Sequence, residues 1–371
     1  MPRGTNLGLP FLSADSKYRE EVLEMARTIS RNDYTIKSDP AVLYWRGQPR
    51  GIGIVPKQRT IWGFPHYDTV LELSLQIPLL NYLRRDLSFA AWVSESRVDE
   101  AVTTAIDNAD NDILSIDYHA FDASCNQVVI DRVFNIVKSW FVRMDHSLID
   151  YVRNTFLGIG LWTPDGILTD RNGGIPSGDG LTNMIGGLIN KFVMHYIAFR
   201  MNNSVLMHIV QGDDGVVLFD KDWRLEDVSA IAAELGMEVS SDKGGVSRAE
   251  VHFLQNVHHR DFRINGICVG IRPIMKALNG MLSYERFHKH WNSYDDTIRW
   301  WQQLNSTHRH PKFPQAVRFL YDNDHFSREM DILQIVKKAG GREMVESALD
   351  IKPFPYGKIR ISKITKHTQH T

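Results

Sequence analysis

Two hydrophobic rhythms run along the chain, and each marks a different kind of element. Helical spacing of Tyr18, Val22, Met25, Ala26 and Ile29 predicts an amphipathic helix over roughly Ser16–Ser30. Thr69–Leu87 is apolar enough for a helix or a pair of helices, and Asn126–Asp145 and Met184–Met201 read as long helices. Leu225–Leu235 is a short amphipathic helix stopped by Gly236. Ile113–Ile116 has the look of a short buried strand with Asp117 at its C-terminal end. Between Val205 and Phe219, two β-branched apolar runs flank Gly212–Asp213–Asp214–Gly215, the composition of a tight hairpin. Met237–Gly245 runs from strand into loop, Val251–His259 reads as another strand, and a second hairpin arm is expected near Phe262–Ile271. From about Arg272 the pattern is helical, at Tyr294–Leu304, Gln315–Asp322, Met330–Ala339 and Arg342–Leu349, with Trp291, Trp300 and Trp301 assigned to core.

Composition narrows the class. With 371 residues, 43% hydrophobic and 23% charged, the chain can bury one large core or several smaller ones. There is no internal repeat, low-complexity block or long linker to separate independent domains. Apolar runs are too short to span a bilayer, and the N-terminus lacks a charged-then-apolar leader, so no membrane partner is expected. Cys125 and Cys268 are too few for a disulfide framework, which makes a reducing, intracellular setting the default. A net charge of −1 means that any nucleic-acid contact must come from local basic patches. One such patch is Arg46–Arg59, where Arg46, Arg50, Lys57 and Arg59 are interleaved with glycines and no acid; it reads as a phosphate-binding loop or as a solvated surface loop. The Lys352–Thr371 tail, basic and without acids, is another.

Chemistry enters with the acids. Adjacent Asp213 and Asp214 on a stiff turn suit hard, oxygen-seeking cations such as Mg²⁺. A Gly-Asp-Asp triplet arises by chance in roughly one chain in ten of this length, so alone it decides nothing. Asp117 is either a turn or N-cap residue or a third metal carboxylate, and three carboxylates are what a two-metal phosphoryl-transfer site needs. Gly173–Asn183 is a Gly-rich loop opening a helix; it is ordinary loop punctuation or a surface of N–H groups and hydroxyls for a sugar-phosphate. No Gly-Lys-Ser/Thr follows it, which excludes a Walker loop. His252, His258 and His259 lack a Cys or acidic partner at ligand spacing, which argues against a metal role.

The order of these pieces carries more than any one of them. Asp117-x₄-Asp122, then Ser177–Gly178-x₃-Thr182, then Gly212–Asp213–Asp214, then Gly236–Lys243 and Phe253–Leu254–Gln255, resembles the A-to-E motif series of viral RNA-dependent RNA polymerases. Lys57–Gln58–Arg59 sits where such enzymes carry motif F. Ile175–Pro176–Ser177–Gly178 and Lys57–Gly63 look closest to the picobirnavirus and partitivirus branch of double-stranded RNA viruses. The resemblance implies an α+β right-hand polymerase fold, with an antiparallel-sheet palm and helical fingers and thumb. Its segments would be fingers at 1–111, palm at 112–262 with a fingers insertion at about 140–175, and thumb at 263–371. It implies template-directed RNA synthesis from NTPs, replicating and transcribing a viral RNA genome.

By the same resemblance Asp117 and Asp213, with Asp214 nearby, would hold two Mg²⁺ ions (or Mn²⁺). Asp122 would accept from the nucleotide 2′-hydroxyl, and Ser177, Gly178, Thr182 and Asn183 would position ribose and templating base. Lys57 and Arg59 would clamp the triphosphate, Lys243 would protonate the leaving pyrophosphate, and Phe253–Gln255 would grip the primer. Many relatives carry Asn four residues after the motif B Thr; here that position is Gly186, with Asn183 as the stand-in. Partners implied are an RNA template and nascent strand, NTPs and a viral capsid protein, and the expected location is the virion interior and host-cell cytoplasm. Two rival readings are a reverse transcriptase and a non-catalytic RNA-binding or capsid-associated protein on a decayed polymerase fold. Asp122 in place of an aromatic steric gate argues against the first, and the intact acids and clamp residues against the second.

Overall fold

The structure is a computed structural model that describes residues 6–48, 57–239, 245–282, 291–326, 330, 334–335 and 338, without the side chains of residues 48, 57 and 144. The described residues of Met1–Arg46, Arg59–Ala90 and Ala105–Arg248 form one compact unit. Those of Gly47–Gln58, Ala91–Thr104 and Ala249–Thr371 form a second.

A four-stranded antiparallel sheet lies at the centre of the first unit, in the order Gly245–Ser247, Ile113–Ile116, Asp214–Phe219, Val205–Gln211. Ile113–Ile116 is buried on both faces, Ser115 included, which is why its apolar residues do not alternate with exposed polar ones. Asp214–Phe219 is buried from Gly215 onward and presents only its first residue at the sheet end. Helix Thr182–Arg200 packs on Val205–Gln211, and its Met184, Ile185, Leu188, Ile189, Val193 and Met194 are all buried. Helices Gln127–Ser139 and His146–Gly158 extend this core through Phe134 and Phe156, whose rings meet edge-on at 5.5 Å. Helix Gln127–Ser139 starts one residue inside the expected bound because Asn126 is its N-cap, accepting from Val129 N–H.

Helix His66–Leu83 buries Tyr67, Leu71, Leu75, Leu79 and Leu83, an i, i+4 stripe. It ends four residues before the expected Leu87, and a 3₁₀ segment, Leu87–Trp92, follows. Two corrections concern strands. The basic stretch expected as a loop is strand at both ends, Ala41–Gln48 and Lys57–Gly63, neighbours in a sheet continued by Leu161–Thr163 and Gly166–Leu168. Residues 49–56, with Arg50, lie outside the described residues.

In the second unit, the single strand expected over Val251–His259 is a hairpin of Glu250–Phe253 and Asn256–His259. Leu254 and Gln255 make its turn, both at positive φ (51° and 65°). His258 and Asp99, 159 residues apart, pair here at 3.1 Å while buried, and Arg309 closes on the same carboxylate at 2.6 Å. The buried histidine thus has an acidic partner that sequence spacing did not reveal. Helix Ser293–Asn305 opens on a capping box between Asn292 and Asp295. Trp300 and Trp301 are half-buried against the apolar clusters around Met281 and Ile298. Most of the two last expected helices, at 330–339 and 342–349, lies outside the described residues.

Candidate active site

The hairpin Val205–Phe219 closes with Gln211 paired to Asp214, so Gly212 and Asp213 are its two loop residues. Gly212 has φ +60°, and Gly at the first central position is the type II′ signature that matches strand twist. Asp213 therefore stands exposed at the tip, and half-buried Asp214 opens the second strand.

Strand register delivers the third acid. Ile113 pairs with Leu218 and Ile116 with Gly215; one step further, the same register sets Asp117 opposite Asp214. Opposed Cα atoms in an antiparallel pair lie about 4.5–5.5 Å apart. The carboxylate at the end of the buried strand and the two at the turn thus converge at one end of the sheet. After Asp117 the chain pairs Tyr118–His119 with Glu238–Val239, turns sharply at Ala120 (φ 48°) and enters the short helix Phe121–Ser124. This reversal brings Asp122 back toward the tip. The buried Cys125 thiol is pushed up by its burial and then by the charges of both Asp122 and Asp213, so both acids act electrostatically on one sulfur. Tyr118 is likewise pushed up by burial, Cys125 and Asp213.

Asn190, a residue that the sequence reading did not single out, secures the turn. Its Nδ2 lies 3.2, 3.1 and 3.4 Å from the carbonyl oxygens of Gly212, Asp213 and Asp214. Its Oδ1 accepts from Tyr118 Oη at 3.1 Å, and both residues are buried. Carbonyls only accept, which fixes the orientation of the amide. Asn183, Gly186, Gly187 and Asn190 share the helix face toward the hairpin: a Cβ on Gly186 would sit 3.6 Å from Gly212 Cα, and Asn183 Nδ2 would lie 3.5 Å from a Cβ on Gly212. An Asn side chain at 186 would have to displace that contact, whereas Asn183 already faces the turn.

The Ser177–Asn183 loop is fastened at several points. Trp62 N–H donates to Ser177 C=O at 2.8 Å, and Ile175 N–H to Asp122 C=O at 2.7 Å. Thr182 Oγ1 donates to Pro176 C=O at 2.9 Å. Gly178 is obligatory, with φ +131° and no room for a Cβ against the Trp62 carbonyl. Arg171 stacks on the Trp62 ring at 4.6 Å. Of the expected triphosphate clamp, Arg59 is exposed on strand Lys57–Gly63, and the Lys57 side chain is not described. Lys243 lies outside the described residues.

Among the described residues, no group of three or more His, Cys, Asp or Glu side chains forms a ready-made metal cage. Mg²⁺ is ordinarily held by one or two carboxylates, substrate phosphates and water rather than by an all-protein cage. An all-oxygen donor set from facing strand ends fits that ion on its chemistry.

Residues 3–309 match the family model described as viral RNA-dependent RNA polymerase. A potential RNA-dependent RNA polymerase of a human picobirnavirus is 25% identical over 95% of this chain and 68% of its own length. The RNA-directed RNA polymerase of Cryptosporidium parvum virus 1 is 26% identical over 75% of this chain and 54% of its own. The crystal structure of a human picobirnavirus RNA-dependent RNA polymerase superposes with a TM-score of 0.79 at 24% identity, over 94% of this chain and 70% of that one. Its insertion-loop deletion mutant gives 0.80 at 24% identity, over 94% and 72%. No described helix is long and apolar enough to cross a membrane. The fold is the right-hand polymerase fold, and the chain belongs to the viral RNA-dependent RNA polymerase family.

Proposed function

We propose that this chain carries out template-directed RNA synthesis from NTPs by two-metal nucleotidyl transfer, copying a viral RNA genome. The observation that carries the reading is the register that sets Asp117 beside the Gly212–Asp213–Asp214 turn. Asp117 and Asp213 would hold two Mg²⁺ ions, with Asp214 adjoining. When bound, such a pair lowers the pKa of the attacking 3′-hydroxyl and neutralises the departing pyrophosphate. Asp122, turned back toward the tip by Ala120, accepts a hydrogen bond from the nucleotide 2′-hydroxyl and so selects ribose. The Ile175–Asn183 loop, fastened to Trp62 through Ser177 and to Asp122 through Ile175, orients the sugar and templating base. Arg59 and Lys57 meet the triphosphate charge. Lys243 donates the proton to pyrophosphate.

The fingers, palm and thumb assignments at 1–111, 112–262 and 263–371 belong to the same proposal, as do a capsid-protein partner and work inside the virion and host cytoplasm. The test is NTP incorporation on a defined RNA template, with RNA binding measured alongside. Asp213→Asn is expected to abolish Mg²⁺-dependent synthesis and leave RNA binding near wild type; unchanged synthesis overturns the metal assignment. Asp122→Ala is expected to erode NTP over dNTP preference, and retained preference removes Asp122 from ribose selection.

A further inference from the structure

Three carboxyl groups with no part in this chemistry are buried together in the first unit. Asp68 and Glu72 lie one turn apart on helix His66–Leu83, and Asp179 follows Ser177–Gly178 in the loop; they are 0, 2 and 6% exposed. Asp68 is satisfied by the Tyr151 hydroxyl at 2.5 Å and by the Ser38 hydroxyl. The other two hold the loop. Glu72 Oε2 accepts from Gly180 N–H at 3.0 Å, Asp179 Oδ1 from Leu181 N–H at 2.6 Å, and Gln76 donates to Gly180 C=O at 3.0 Å. Asp179 Oδ2 is shut away from solvent, with no N–H or hydroxyl donor to it among the described residues. The Glu72 carboxyl shares a side-chain hydrogen bond with the Asp179 carboxyl.

Two facing carboxylates in a dry interior repel, so one must keep its proton and donate it to the other. Burial and then Asp179 hold Glu72 well above the usual carboxylate range. Burial also raises Asp179, but the Glu72 hydrogen bond, Leu181 N–H and the Arg171 charge favour its ionised form. The proton therefore resides on Glu72. The other charged groups facing the pair are Asp68, one turn earlier on the same helix, and Arg171. Asp68 in turn feels the charge of Asp39 and accepts from the Tyr151 phenol, and Asp39 accepts from the Tyr67 phenol.

We propose that Glu72 is a positioning residue for RNA synthesis: its carboxylic acid donates to Asp179 and accepts from Gly180 N–H, clasping the 177–183 loop to helix His66–Leu83 in the shape that meets the incoming nucleotide. The proposal rests on the polymerase reading above, and it adds a protonation requirement to loop geometry. Raising the pH removes the shared proton and sets two negative charges against each other across the clasp.

The test measures kcat and KM for NTP on a primed template from mildly acidic to alkaline pH, using the full chain. Wild type is expected to show KM rising on the alkaline side. Glu72→Gln can donate through its amide to Asp179 and accept from Gly180, so it should keep the neutral-pH KM and lose that alkaline rise. Glu72→Ala is expected to lower kcat/KM by about 10²-fold at neutral pH, the scale of a misplaced substrate group, with the gap to wild type narrowing on the alkaline side where wild type loses the clasp as well. An alkaline rise in Glu72→Gln equal to wild type overturns the proposal, as does wild-type kcat/KM in Glu72→Ala. If Glu72→Ala fails to fold, the Gln variant decides alone. A readout independent of turnover is the infrared difference between wild type and Glu72→Gln at neutral pH, which should contain the band of one buried protonated carboxyl; its absence also overturns the proposal. The polymerase reading fails separately, if Asp213→Asn synthesises RNA as well as wild type.

Discussion

Removing the amide of Asn190 should separate the part it plays in holding the Gly212–Asp213 turn from its part in the core. Asn190→Ala strips a shared donor from three carbonyls and an acceptor from the Tyr118 hydroxyl, in surroundings closed to water. Each buried group left unsatisfied costs about 1–3 kcal/mol. The Tyr118 hydroxyl and at least one carbonyl are orphaned, so a stability loss of about 2–6 kcal/mol is expected. Gly215, whose absent side chain leaves Asn190 Nδ2 3.2 Å from where a Cβ would stand, offers no replacement donor beyond its backbone. Loosening the turn should also shift Asp213 relative to Asp117 and lower kcat by about 10²-fold, with KM for NTP changed far less. The assays are urea unfolding and single-nucleotide incorporation at saturating NTP. Tyr118→Phe alone and with Asn190→Ala completes a double-mutant cycle, and a coupling of at least about 0.5 kcal/mol is expected for groups in direct contact. Additive effects within that margin, or wild-type turnover in Asn190→Ala, would refute the reasoning.

Two further outcomes follow from the geometry. Gly178→Ala places a side chain in a nearly Gly-only backbone region and against the Trp62 carbonyl, so it should destabilise by about 1–3 kcal/mol and raise KM for NTP; thermal melting and incorporation kinetics check this, and wild-type values in both contradict it. His208 is buried beside Lys191 and His195, neither ring nitrogen has a hydrogen-bond partner among the described residues, and burial holds it well below the ordinary histidine range. The unfolded chain then binds the extra proton first, so stability is present above about pH 6.5 and lost as pH falls below it. His208→Leu should flatten that acid-side loss in urea midpoints measured against pH, and an unchanged slope contradicts it.

The Val205–Phe219 hairpin was legible because its signals are local: β-branched runs, a Gly at the first loop position, and acids where a strand would otherwise continue. Asp117 was legible for the same reason, as the polar stop of a buried strand. What sequence did not show depends on contacts distant in the chain. Asn190 is one polar residue in an apolar helix, and its meaning appears only when that helix lies against residues 212–214. Glu72 and Asp179 are 107 positions apart by number (179 − 72), and nothing local pairs them. The 250–259 hairpin escaped notice because Leu254 and Gln255 occupy positive φ without the Gly or Asn that usually advertises such a turn. Gly and Pro content made Arg46–Arg59 resemble a loop although strands enter it from both ends.

The most direct measurement is anomalous diffraction from crystals of the full chain grown with Mn²⁺, a template–primer RNA and a non-hydrolysable NTP. The account predicts manganese peaks contacted by Asp117 and Asp213 beside the triphosphate. Peaks bound elsewhere, with those two carboxylates turned away from both ion and nucleotide, would contradict it.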